Sequence, residues 1–113
     1  MKRLLTSALL VLFAGTAHAD VLPNEIQGLW AFEPADWSNP RSDGLLKVEA
    51  NAVQFFASSY AIKRIVRRPD GSLSASGMVS NEGETSRARG SLTMKLIAPG
   101  KLYVLDHFYH RCP

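Results

Sequence analysis

The stretch Thr85-Ser86-Arg87-Ala88-Arg89-Gly90-Ser91-Leu92-Thr93-Met94-Lys95-Leu96 decides the fold. Thr85, Arg87, Arg89, Ser91, Thr93 and Lys95 fall on one side of an extended chain; Ser86, Ala88, Gly90, Leu92, Met94 and Leu96 fall on the other. Successive side chains of a strand point to opposite faces, so this period of two reads as a strand with one wet face. Gly90 in its middle predicts the bend that a curved sheet needs. Leu73, Ala75, Gly77 and Val79 alternate with Ser72, Ser74, Ser76 and Met78 in the same manner.

Outward from these two strands, the punctuation is regular. Pro69-Asp70-Gly71 is a turn with a mechanism, because proline presets φ and glycine accepts a positive φ. Asn81-Glu82-Gly83-Glu84 and Ala98-Pro99-Gly100-Lys101 are further tight connections. They separate strands expected near 26–32, 44–50, 53–58, 60–67, 73–80, 85–96, 101–107 and 108–112. Short strands with short turns indicate an all-β antiparallel meander of about seven or eight strands, closed as a small lipocalin-like barrel or folded as a sandwich. No stretch after Asp20 has helical periodicity, although Leu22–Ile26 can supply one helical turn. Pro34–Gly44 is the one long connection, and its plain reading is a lid with Trp37 as the plug of one barrel end.

The N-terminus reads as an export signal. Lys2 and Arg3 precede the largely apolar run Leu4–Ala14, and Ala17-His18-Ala19 presents small residues where a signal peptidase reads them. The expectation is a signal peptide at residues 1–19, cleavage before Asp20, and a periplasmic or secreted product. The apolar run is shorter than the ~20 residues a spanning helix requires, so no stable membrane anchor is expected. Removing residues 1–19 from 113 leaves 94, one domain over 20–113. Lys2 and Arg3 leave with the signal, so the remaining 11 basic residues face 10 acidic ones. That near-neutral balance gives little support for nucleic acid or an anionic membrane as a partner.

Gly28-Leu29-Trp30 on the first strand resembles the G-x-W of lipocalin-like calycin barrels. The resemblance implies that the glycine permits close packing and that Trp30 closes one barrel end beneath a late arginine, a place that Arg111 fits. Gly28, Trp30 and Arg111 are thus structural candidates. The mature chain also resembles a group of small exported proteins of Gram-negative bacteria without an assigned activity. The matching residues are Gly28-Leu29-Trp30-Ala31, Glu82-Gly83-Glu84 and Tyr109-His110-Arg111-Cys112-Pro113. The resemblance implies further cysteines near Trp37, Tyr60 and Met78 or Ser80; they are absent here, and so is any disulfide framework built on them.

Lys63-Arg64 and Arg67-Arg68 bracket Ile65-Val66, and read either as a patch for an acidic ligand or as a solvated strand end, the latter favoured. If Ile62 and Val66 face inward, so does Arg64, unless a bulge shifts the register. Phe55, Phe56 and Tyr60 nearby read either as aromatics for stacking bases or as core, the latter favoured for aromatics on strands.

Catalytic groupings are missing. The mature chain has His107 and His110 only, and Asp106-His107 adjacent in a strand point to opposite faces. His107, His110 and Cys112 do not share one face and do not complete a four-ligand set, so no metal and no cofactor is expected. Cys112 is the single cysteine; a disulfide-linked dimer is the sharp reading, and an unpaired residue packed at the barrel edge is the favoured one.

The expected function is therefore that of a non-enzymatic binding module with an unknown protein partner in the cell envelope. In size and form it resembles periplasmic inhibitors of lysozymes and proteases, with Trp37, Arg41, Glu82 and Glu84 as candidate partner-binding residues. The alternatives are an envelope structural protein without a ligand, and a carrier whose pocket Trp30, Phe55 and Leu92 would line.

Overall fold

Alternating sequence becomes a closed ring of strands. The computed structural model describes residues 21–113, so the expected signal at 1–19 and its junction before Asp20 lie outside the described residues. The eight strands are β1 (Gly28–Ala31), β2 (Leu45–Glu49), β3 (Ala52–Gln54), β4 (Ser58–Arg67), β5 (Leu73–Asn81), β6 (Ala88–Ala98), β7 (Lys101–Val104) and β8 (His107–Arg111). Each pairs antiparallel with its neighbour, and β8 returns to β1 through Trp30↔Arg111 and Ala31↔His110. The fold is a closed meander barrel rather than a sandwich. Every strand thus has a paired neighbour on both sides, although β3 is too short to cover β4 beyond Ile62.

The decisive alternation is visible in β6. Leu92 and Met94 are buried while Arg89, Ser91 and Thr93 are exposed. Inward residues from all strands form one cluster that includes Trp30, Leu46, Val53, Ile65, Leu92 and Leu102. At about 25 cal/mol per Å² of apolar surface, burial of this cluster is the main term holding the ring closed.

Gly90, where a bend is expected, pairs with Gly77. A Cβ on Gly77 would sit 1.8 Å from the Ala61 carbonyl oxygen, and one on Gly90 2.3 Å from Val79 Cγ2. Only a pair without side chains lets β4, β5 and β6 approach this closely.

Several expectations need correction. The strand expected over 53–58 ends at Gln54, and Phe55–Ala57 forms a connection, because the Phe55 N–H bonds the Ser58 carbonyl across a tight turn at 2.8 Å. The register shifts between Ile62 and Arg64, so Ile62 and Ile65 face inward, and Lys63, Arg64 and Val66 are all exposed. The bulge resolves the conflict by inserting one residue. Asp106 lies in the β7–β8 turn, not in a strand, with φ of 66°. Trp37 plugs nothing: it sits on a short 3₁₀ turn, Pro34–Ser38, with 41% of its surface exposed.

Candidate functional site

In an up-and-down barrel, alternate connections fall at the same end, and the two ends here are built differently. One end is sealed. A 3₁₀ turn, Asn24–Ile26, lies beside the start of β1, and the chain before it is tied down by the Leu22 N–H to the Ala50 carbonyl at 2.7 Å. Trp30 is fully buried, and its indole N–H donates to the Ile26 carbonyl at 2.9 Å. The Arg111 guanidinium lies 4.3 Å above the Trp30 ring and donates to the Gln27 carbonyl at 3.1 Å and to the Glu25 carbonyl.

Gly28 sits under this stack with φ of +131°, and a Cβ there would lie 2.9 Å from Arg111 Nη1. Both the backbone and the space above it require glycine. Gly28, Trp30 and Arg111 therefore act as one unit that closes a barrel end.

The opposite end carries four connections, β1–β2, β3–β4, β5–β6 and β7–β8. They hold Phe32, Trp37, Phe56 and Leu105, all large apolar residues left exposed. The long β1–β2 connection is knit by one carboxylate. Asp36 accepts from the Glu33 N–H at 3.0 Å and from the Ser42 hydroxyl, and Ser42 Oγ accepts from the Gly44 N–H at 3.1 Å. Asn39 adds a bond from the Arg41 N–H to its side-chain oxygen at 3.1 Å. A loop held by its own short polar side chains holds its shape before anything binds, which lowers the ordering cost of association.

Beside this loop runs a groove of about 590 Å³ on the outer face of β1–β3, lined by Leu29, Leu45, Arg41, Lys47, Phe55 and Phe56 among others. A second, shallower groove of about 490 Å³ shares Gln54, Phe55 and Phe56 and continues to Ser80, Asn81 and Glu82. Phe56, with 63% of its surface exposed, borders both. Phe55, which also lines both, packs edge-on against Tyr60 with ring centres 5.8 Å apart.

All four partner-binding candidates lie at this end. Arg41 lines the first groove and Glu82 the second; Trp37 and Glu84 line neither. Glu84 accepts instead from the Asn81 side chain across the β5–β6 turn at 3.3 Å.

Phe56, expected in the core, is exposed instead. Its signal was present: Val53 is an inward position, so continued alternation puts Phe56 on the wet side, where a phenylalanine has no packing reason to be.

Interior chemistry is sparse. Trp30 and Leu92, offered as walls of a carrier's pocket, are fully buried in the packed cluster, and Phe55 is packed against it. Among the described residues no group of three His, Cys, Asp or Glu side chains is placed to hold a metal ion. Cys112 is unpaired and half-buried, and its N–H bonds the Leu29 carbonyl at 2.9 Å. Burial, with the Asp36 carboxylate, pushes its thiol pKa up, away from the reactive thiolate.

No known protein family, no curated protein and no solved structure matches the chain.

Proposed function

We propose that the chain is an exported, non-enzymatic binding module, processed before Asp20, that presents its loop end to a protein partner in the cell envelope. Phe56 carries this reading. An exposed phenylalanine set between two grooves, with Arg41 beside it, has the composition of an interface centre, where aromatic residues and arginine supply most of the binding energy. The preorganised loop around Asp36 holds Arg41 against that groove, as a rigid inhibitory loop is held before it meets its target. A lysozyme or a protease is the partner class that such a loop suits. A filled barrel favours surface recognition over carriage of a small apolar molecule.

The test is capture from a periplasmic extract by the immobilised protein, beside inhibition assays against lysozymes and serine proteases. A partner retained by the wild type and lost with Phe56→Ser and with Arg41→Glu, both variants melting as the wild type does, supports the reading. Equal capture or inhibition by those folded variants sinks it.

A further inference from the structure

The near-neutral overall charge conceals a sharp division. Between Lys63 and Lys101 there are eight basic residues and three acidic ones; the rest of the mature chain has three basic and seven acidic. The strands of the basic half, β4, β5 and β6, contain Lys63, Arg64, Arg67, Arg89 and Lys95 and not one carboxylate. Asp70, Glu82 and Glu84 all sit in the turns at the strand ends.

Register places Arg64, Arg89 and Lys95 on one side of the sheet, while Arg67, opposite the buried Leu73, belongs to the barrel end. Arg64 pairs with Ser76, and Ser76 with Ser91; Val66 pairs with Ser74, and Ser74 with Thr93. One outer face therefore carries charge and hydroxyl groups in cross-strand rows. The bulge adds the exposed Lys63 to it, and Met78↔Arg89 continues the rows. A shallow depression of about 260 Å³ lies between Lys63 and Arg89, where Gly77 and Gly90 contribute no side chains. Among the described residues the one ion pair is Lys47–Glu49 on β2, so Lys63, Arg64 and Arg89 form none, while Lys95 lies near enough to Asp70 to feel its charge.

We infer that this face of β4–β6 docks the protein on the anionic phosphate headgroups of a lipid bilayer. The charges are spread over three strands, about 10 Å across, and so match a plane of phosphates better than a single bound anion. Nucleic acid is the poorer fit. Tyr60 turns inward to Phe55, which leaves no aromatic on this face for bases to stack upon. Val66, 41% exposed within the rows, adds apolar contact at headgroup depth. In an eight-strand ring β5 lies opposite β1, so docking on this side leaves the groove at β1–β3 directed away from the bilayer. The inference is independent of the partner proposed for that groove.

Sedimentation with vesicles tests it, using protein expressed as the full chain. Vesicles of equal parts phosphatidylglycerol and phosphatidylcholine should retain the protein at least tenfold better than pure phosphatidylcholine. Raising salt from about 0.05 to 0.5 M should release it. Each cation near an anionic surface contributes about fivefold to the binding constant, so Arg64→Glu with Arg89→Glu should lower binding by about 25-fold or more. Arg64→Lys with Arg89→Lys should stay within about threefold of wild type, because the surface reads charge. If the reversed pair does not fold, Arg64→Gln with Arg89→Gln removes the same two cations and should lower binding by about 25-fold. Equal retention on neutral vesicles, retention unaffected by the folded variants, or binding of an oligonucleotide but not of anionic vesicles would each overturn the inference.

Discussion

The two ends of the barrel are made from the same kind of strand and differ in where their polar groups go. At the sealed end Arg111 spends its donors on the Gln27 and Glu25 carbonyls and its charged plane on Trp30. At the loop end Asp36 holds the loop's own backbone, while Phe56, Trp37 and Arg41 are left facing solvent. The first arrangement consumes its chemistry in holding the fold; the second leaves chemistry unspent. Stability should therefore be sensitive at one end and tolerant at the other, and recognition the reverse.

The largest break expected is at Trp30. Truncating a buried aromatic costs about 3–5 kcal/mol, much of what a domain of this size has, so Trp30→Ala should leave little folded protein in a urea melt. Melting within a degree or two of wild type would show that the sealed end is not what holds the barrel shut.

Gly28→Ala should come next, at about 1–3 kcal/mol, from a positive φ together with the crowding at Arg111. A double-mutant cycle sharpens this. Combined with Arg111→Ala, the crowding vanishes and the backbone strain stays, so the two losses should fall short of additive. Strict additivity would mean that Arg111 does not bear on Gly28.

A smaller effect is expected at the Asp70 turn of the sealed end. Asp70 accepts from both the hydroxyl and the N–H of Ser72, which hold its carboxyl below the ordinary aspartate value. A depressed folded pKa gives stability that is present above the unfolded value and lost as pH falls through the folded one. Thermal melts of wild type should thus decline on acidification below the ordinary carboxylate range, and Asp70→Asn should flatten that part of the profile. An identical profile in the variant would remove Asp70 from the sealed end's supports.

At the loop end, Phe56→Ser and Trp37→Ser should each change stability by no more than about 0.5 kcal/mol, as exposed positions do. A larger loss for either would place it in the core and erase the contrast between the ends. The smallest effect is reserved for Cys112. Cys112→Ser should melt as wild type, and the wild-type protein should run as a monomer on non-reducing electrophoresis; a dimer band that the variant abolishes would give this terminal residue a role.

What the sequence determined by itself is the alternation and its punctuation. Leu92 and Met94 are buried and Arg89 and Ser91 exposed because a period of two leaves a strand no other way to hide its apolar side chains. The turns at Pro69-Asp70-Gly71 and Asn81–Glu84 are likewise local, written in residues that accept positive φ or bond their own backbone. The tertiary structure alone decided the rest. The bulge after Ile62 exists because β4 must keep Ile62 and Ile65 both inside against β5, a demand that no window of β4 reveals. Closure of β8 onto β1 set Arg111 above Trp30, across most of the chain. The same ring gathered Arg41, Phe56 and Glu82 at one end and the cations of β4 and β6 on one face. Local pattern fixes which way a side chain points; only the ring fixes which distant side chains it points beside.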